Sequence, residues 1–537
     1  MAAIVQDDTK KTSKSFETPV VKSEGTFFKE RESLKRDVID WTSANGLLVR
    51  NKDGVFTNCP ITLIPSTFPQ KVYVEACDVA MIFNRLVDRV SRDVPWLLEQ
   101  LKDTAAGDDF IMQQIQICKK VHVEDMEEGS KTWKKQHLYL GLNRSDYMIH
   151  EPPPSEKDVS LFSSNEGQGG FLQVELNTIA SSFGALSNKT CALHRFVLQR
   201  HEEASIECYK SIGNNNIDRI DSNRLPTTNN IEILSTGMAE AFKRYAKEVN
   251  EVCRDENNQP KENIPKKYIL FIVQENETNT VDQRMLEYEL FYKHNIHVLR
   301  RSLTNLSKTA EIVVTSNVPK LYVDNKTKEI CVVYFRDGYA PDAYPTNAEW
   351  DVRELIEKSY AVKCPSIAYQ LVGAKKIQQA LSVKGVLERY LSSDEVIKIR
   401  KCFAGLYELN DDSILAAIEH PEHFVLKPQR EGGGNNFYGK DIPEQLKKMS
   451  KVERGAYILM QRIFPPPQNA LMLTKTGKVN SAKALSELGI YGAYLGDGKS
   501  EYFNENAGHL LRTKVNGTDE GGVASGYAVL DSPYLVM

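Results

Sequence analysis

What this 537-residue chain lacks narrows the field first. It has no charge excess of one sign: 68 Lys and Arg stand against 72 Asp and Glu, a formal net charge of −4. Nucleic-acid-binding proteins usually carry a basic balance, so that class has no support. The nine cysteines are scattered with no CxxC pair. Neither a zinc site nor a disulfide framework is indicated, and they read as free thiols in a reducing compartment. Long apolar runs are missing too; "YILFIV" at 268–273 is far too short to span a bilayer. Residues 1–25 have neither the apolar centre of a signal peptide nor the acid-poor composition of a transit peptide. A disordered leader on a cytoplasmic protein is the expectation. HExxH, GxSxG, GxGxxG and the protein-kinase signatures are absent. Zinc proteases, α/β-hydrolases, Rossmann dehydrogenases and kinases therefore lose their motif support.

What is present suits two or three domains around a large core. Residues 27–120 space apolar side chains at three and four, which predicts helices. "EPPPSE" at 151–156 reads as a loop, "EGQGG" at 166–170 as a turn feeding the strand "FLQVELNTI", and 188–210 as helix. The polar, proline-bearing stretch 255–267 marks a boundary. Beyond it a strand (268–274), a helix (280–295) and strands at 296–302 and 329–337 make a strand–helix–strand unit, so 266–373 reads as a small α/β domain. A helix is expected over 374–391, then strands in "HFVL", "AYILMQRIF" and "GIYGAYLGD" and a glycine-rich tail. The fold class is mixed α/β.

Three constellations carry chemistry. In "FVLKPQREGGGNNFYG", 424–439, a strand stops at Pro428 beside Lys427, Arg430 and Glu431, and three glycines follow. Bare backbone can turn several N–H groups toward a phosphate chain, and the flanking charges complement a polyphosphate with its metal. It is not a P-loop, because the lysine precedes the glycines. A surface loop would also fit the glycines alone. In "FLQVELNTI" alternation sends Leu172, Val174 and Leu176 one way and Gln173, Glu175 and Asn177 the other. Glu175 and Asn177 offer oxygens to a hard cation such as Mg²⁺, although an ordinary amphipathic strand looks the same. In the tail, 509–534, Arg512 and Lys514 share one face ahead of a loop of small residues. Substrate carboxylate and phosphate would suit them; a glycine-rich hairpin is the plainer alternative.

Set side by side, "LGLNRSDYM", "VELNTIASSFGAL", "ENETNTVDQR", "VVYFRDGYAPDAY", "KPQREGGGNNFYG", "SELGIYGAY" and "LLRTKVNGTDEGGVASGYAVLDSPY" resemble the eukaryotic glutathione synthetase family from about residue 27 onward. The resemblance implies an ATP-grasp fold with a glycine-rich lid. Its catalytic part would span 26–265 and 374–537, including a lid around 425–465, with a substrate-binding α/β domain inserted at 266–373. It implies ATP- and Mg²⁺-dependent ligation of γ-glutamylcysteine with glycine by a homodimer, with no nucleic acid or membrane partner.

The implied roles carry over motif by motif. Metal would meet Glu175, Asn177 and Glu431, with two ions per site. ATP would meet Glu175, Lys375, Lys427, Glu431, the loop Gly432, Gly433, Gly434, Asn435 and Asn436, then Tyr438, Met460, Gln461, Arg462 and Ile463, and finally Glu487, Lys514 and Glu520. The dipeptide would meet Arg144, the turn Ile179, Ala180, Ser181 and Ser182, then Glu277, Asn279 and Gln283, Arg336, Asp337, Gly338 and Tyr339, and Arg512, Val523 and Ala524. Arg512, Lys427 and Lys514 would act directly in the reaction. Ala180 stands where some members have serine, Gln461 and Arg462 where others have Glu and Lys, and Glu520 in place of an aspartate. Two rivals share these residues: a ligase using β-alanine, and a nucleotide-binding scaffold without catalysis.

Overall fold

The computed structural model describes residues 24–124, 133–164, 170–252, 266–430, 434–475, 477–517, 523 and 528–537. Several expectations lie outside these residues: most of the leader, the turn at 166–169, the boundary at 255–265, Glu431, Gly432, Gly433, Glu520 and Ala524.

Three of the five sheets among the described residues organise the chain. The largest has seven strands, in the order Gln468–Leu473, Ile61–Thr62, Ala528–Asp531, Glu501–Val515, Val479–Gly496, Tyr139–Ile149, Phe171–Asn177. Helices cover both faces. On Val479–Gly496 a Cβ at Gly492 would fall 1.9 Å from Asn84 Oδ1, on the helix Gln70–Arg92. The next residue, Ala493, has its Cβ 3.7 Å from the Cβ position of Gly237, on Asn230–Val252. Consecutive strand residues point to opposite sides, so the two helices sandwich the sheet. The first buries Ala76, Val79, Phe83, Leu86, Val87 and Val90, a spacing of three and four.

The second sheet has six strands. Lys267–Ile272, helix Thr280–His294 and Val298–Arg301 form the expected strand–helix–strand unit, with the strands parallel. Lys328–Phe335 pairs parallel with Lys267–Ile272 and with Val362–Cys364. A hairpin, Glu311–Thr315 with Val318–Val323, completes it and was not anticipated. Its two-residue turn places Ser316 and Asn317 at φ 48° and 65°, the left-handed torsions that such tight turns need.

The third sheet is small and antiparallel: Leu406–Tyr407, Tyr457–Gln461, Phe424–Pro428, Phe437–Tyr438. Phe424, Leu426, Leu459, Ile442 and Leu446 form its own core under helices Asp411–Glu419 and Asp441–Lys448.

Two expectations need correction. The helix read over 374–391 runs only from Lys375 to Ser382; Val383 is extended, Gly385 sits at φ 90°, and a 3-10 turn, Leu387–Arg389, follows. The span 27–120 is also not purely helical: Leu48–Arg50 pairs with Phe56–Asn58, and Ile61–Thr62 joins the large sheet. Gly46 and Gly54, both at positive φ, punctuate that hairpin.

Eight of the cysteines lie among the described residues, as free thiols. Seven are buried and Cys77 is half-buried. Among the described residues no helix is long and apolar enough to cross a membrane.

Candidate active site

The register of the large sheet assembles a polar cluster from four strands. Arg144 pairs with Asn177, and Asp146 with Glu175, between Tyr139–Ile149 and Phe171–Asn177. Glu487 pairs with Arg512, and Leu485 with Lys514, between Val479–Gly496 and Glu501–Val515. Side chains two residues apart share a face, so Arg144 and Asp146, Glu175 and Asn177, and Arg512 and Lys514 come together. At the centre is Asp146, with no solvent exposure. Arg144 Nε and Nη2 donate to it at 2.6 and 2.8 Å, Asn177 Nδ2 at 3.0 Å and Arg512 Nη2 at 3.1 Å. Arg512 also pairs with Glu487. Asp146 is not among the residues the sequence singled out, although "LGLNRSDYM" contains it two positions after Arg144.

This cluster orients the metal-ligand candidates. Asn177 Nδ2 donates to Asp146 and, at 3.3 Å, to Glu175 Oε1. Carboxylates only accept, so the amide nitrogen must face them and the amide oxygen is left to the other side. A carboxylate and an amide oxygen on one strand suit a hard cation that also takes oxygens from phosphates. Among the described residues no group of three or more His, Cys, Asp or Glu could hold a metal alone.

Charge sets the protonation states. Burial raises the pKa of Glu175, but Lys375, Lys427, Arg512 and Arg144 outweigh it and hold the carboxyl at about 2. Glu487 moves the other way: burial raises it, and Asp146 and Glu175 add to the rise against Arg512. Two carboxyl groups in one site are thus driven apart. Lys427 Nζ donates to Val174 O at 3.0 Å, and Lys375 Nζ to Arg430 O at 2.6 Å, so the small sheet brings its lysine against the strand that carries Glu175.

A cavity of about 500 Å³ opens on this cluster. Its near wall holds Arg144, Glu175, Asn177, Glu487, Arg512 and Lys514; another wall holds Lys427, Asn436, Tyr438 and Met460 to Ile463 from the small sheet. The far end is lined by Ile179 to Ser182, Glu277, Asn279, Gln283, Arg336 and Tyr339, and buried Val523 also lines the cavity. There the turn 179–182 is shaped by left-handed torsions at Ala180 (φ 52°) and Phe183 (φ 72°). Asp282, from the second sheet's helix, holds it by accepting from the backbone N–H of Phe183, Ala185 and Leu186 at 2.9, 2.8 and 3.2 Å. A carboxylate at a helix N-terminus satisfies otherwise orphaned donors. Arg336 bridges Ser182 Oγ at 2.9 Å and Asp282. Among the described residues, Arg336 Nε and Nη1 and both amide atoms of Asn279 are buried without a hydrogen-bond partner. Gln283 donates to Glu277 at 2.6 Å and accepts from Arg300 Nη2 at 2.6 Å. Arg300 is a second residue the sequence did not single out.

Some expected residues stand apart from the cavity. Asp337 and Gly338 do not line it; Gly338 O instead accepts from Gln370 Nε2 at 3.1 Å. Gly434 and Asn435 are exposed beside it, and Lys375 acts from behind Glu175.

A family model for the ATP-binding domain of eukaryotic glutathione synthase matches residues 29–535. The chain is 39% identical over 533 residues to chloroplastic glutathione synthetase of Solanum lycopersicum, covering 96% of this chain and 87% of that one. It is 38% identical over 518 residues to glutathione synthetase of Homo sapiens, covering 94% and 97%. A solved glutathione synthetase-like effector from Globodera pallida aligns with a TM-score of 0.67 at 21% identity, over 96% of this chain and 99% of that one, a likeness of fold. With matches that run almost from end to end, the chain belongs to the eukaryotic glutathione synthase family.

Proposed function

We propose that this cavity joins γ-glutamylcysteine to glycine while ATP becomes ADP and phosphate. One observation carries the reading. The sheet register gathers Glu175, Asn177, Arg144, Arg512 and Lys514 on one wall of a cavity whose other walls hold Lys427 and the unpartnered polar atoms of Asn279 and Arg336.

The chemistry explains why such a wall is needed. A carboxylate is a poor electrophile, because attack by an amine would have to expel oxide. Transfer of the γ-phosphoryl group to the dipeptide's C-terminal carboxylate releases ADP and leaves an acyl phosphate. The glycine amine then attacks the acyl carbon, phosphate departs, and the nitrogen gives up a proton as the amide forms. The protein's share is positioning and neutralisation of charge. Lys427 and Lys514 serve the phosphates, with Glu487 beside them, and Lys375 adds its positive charge from outside the cavity. Tyr438 and Met460 to Ile463 take the adenine end. Magnesium held by Glu175, Asn177 and Glu431, two ions in this reading, supplies further neutralisation of the phosphates when bound.

Arg512 and Arg144 face the carboxylate to be activated. Asn279, Gln283 and Glu277, from the inserted unit 266–373, grip the γ-glutamyl end with Arg336 and Tyr339. Water must be kept from the acyl phosphate, a task for the small sheet as it closes over the cavity. Family resemblance supports a homodimer, and the free thiols suit a reducing compartment such as the cytoplasm.

The test mixes the purified chain with ATP, Mg²⁺, γ-glutamylcysteine and glycine and identifies the product by mass, with β-alanine in competition. Glutathione with stoichiometric ADP is the expected result. ADP release without the dipeptide, or a β-alanine product in excess, overturns it.

A further inference from the structure

Behind the strand that the reading above gives to adenine lies a buried acid–amide pair contributed by a distant loop. Glu156 belongs to the 3-10 turn Pro154–Asp158, in the stretch whose prolines mark an exposed loop, yet it is only 7% exposed. Apolar neighbours hold the turn down: Val159 is buried in the core of the small sheet, Leu161 and Phe162 pack against it, and the Phe162 ring lies 5.2 Å from that of Phe424. So anchored, the Glu156 carboxylate accepts a hydrogen bond from Gln461 Nε2.

The other end of that amide is also committed. Gln461 Oε1 accepts from Gly405 N at 2.9 Å, and Gln461 N donates to Gly405 O at 2.8 Å. Because the carboxylate accepts only, the amide has one orientation. The side chain, 2% exposed, is turned behind its strand, so position 461 presents main chain to the cavity it lines. Loop and strand meet again on either side. Phe464 N donates to His150 Nδ1 at 3.2 Å, Glu151 N to Phe464 O at 2.9 Å, and Arg462 N to His423 O at 2.8 Å, while Ser155 Oγ lies 3.1 Å from His423 Nε2. The contact also reaches the metal-ligand strand: Gln173 N donates at 2.6 Å to the carbonyl of Cys402, three residues before Gly405.

We propose that Glu156, acting through Gln461, is a positioning residue for ATP: it fixes the segment Met460 to Ile463 in the register that receives adenine. The inference rests on the nucleotide reading given above. It makes a sharp demand on chemistry, since one partner must be an acid and the other an amide. Two buried carboxylates face to face repel and leave a donor missing.

The experiment uses the full chain and measures kcat, both Michaelis constants and melting temperature for Gln461→Glu, Glu156→Gln and the exchanged double variant. Gln461→Glu is expected to raise the KM for ATP roughly tenfold and leave the dipeptide KM unchanged, and exchanging acid and amide to bring it back within about threefold. A wild-type ATP KM in Gln461→Glu, no rescue by the exchange, or both KM values moving together with the melting temperature overturns the proposal. If Gln461→Glu does not fold, Glu156→Leu takes its place, with the same selective rise expected and its absence decisive. Met460→Trp, which crowds the cavity itself, separates the two readings. A higher ATP KM there alone removes the positioning role and keeps the nucleotide site. No change there removes the nucleotide reading and this inference with it.

Discussion

Asp282 Oδ2 lies 3.1 Å from Arg336 Nη2, and neither side chain has more than 1% of its surface in contact with solvent. The same carboxylate caps the helix Gly184–Arg200 from outside, so one residue fixes both the turn 179–182 and the arginine that faces the substrate end. Asp282→Ala leaves a buried guanidinium and three backbone donors uncompensated. A loss of about 3–5 kcal/mol is expected, seen as a lower denaturant midpoint. Asp282→Asn, which keeps one acceptor, should fold better and show a raised KM for the dipeptide with the KM for ATP unchanged. Equal shifts in both constants would disprove that division.

Asp146 makes a second case. It does not line the cavity, yet it aligns Arg144, Asn177 and Arg512 at once. Asp146→Asn should cut kcat/KM by up to roughly a hundredfold, as loss of an orienting partner does in metal sites, and should also lower the melting temperature, because it takes the negative charge from a buried cluster of ion pairs. Full activity in that variant would show that the three side chains hold their positions unaided.

Glu175→Gln tests the metal reading. The neutral amide keeps the shape but removes the carboxylate that four cations hold ionised at about pKa 2. Turnover should fall by at least about two orders of magnitude, and the magnesium concentration needed for half-maximal rate should rise. Chelation of the wild-type protein should stop turnover reversibly. A Glu175→Gln enzyme with the normal magnesium dependence would exclude this carboxylate as a ligand.

Acid stability should report His509. Burial lowers its pKa from 6.5 to about 3, between Tyr73 OH at 3.1 Å and Cys191 Sγ at 3.2 Å. Between those two pH values the unfolded chain carries a proton that the folded one refuses, so stability rises with pH across the window and falls on acidification from 6.5 downward. The loss is on the order of 4 kcal/mol by pH 3 for such a group. His122, lowered to about 4 by burial and then by Lys363 and Lys135, adds to the same slope. His509→Gln should be less stable at pH 7 but flatter between pH 6.5 and 5 in denaturant titrations. An unchanged slope would assign the acid sensitivity elsewhere.

The chemistry-bearing strands were legible because alternation is a local signal. Glu175 with Asn177, and Arg512 with Lys514, could be put on one face from their own segments, and the strand that ends at Pro428 beside Lys427 was visible in its apolar run. The strand–helix–strand unit and the mixed α/β class followed from the change of period. Asp146 and Arg300 could not be read this way. Arg512 meets Asp146 across 366 positions, and that pairing depends on the register of strands whose order no local pattern reveals. The same holds for Asp282, which caps a helix with donors 96 to 99 residues before it. Helical spacing over 374–391 misled because Val383 and Gly385 break a run whose apolar positions keep their period. The prolines of 151–156 hid a buried glutamate, since the contacts that hold that turn come from residues 268 and 305 positions later.

The free cysteines have a consequence for an enzyme whose substrate and product are themselves thiols. Burial pushes up the pKa of all eight described cysteines, including half-buried Cys77, so at neutral pH they stay protonated. Exchange with a disulfide begins with a thiolate. These eight side chains are therefore poor partners for the oxidised form of what the enzyme makes, and none of them draws the catalyst into the redox traffic that its own product sustains.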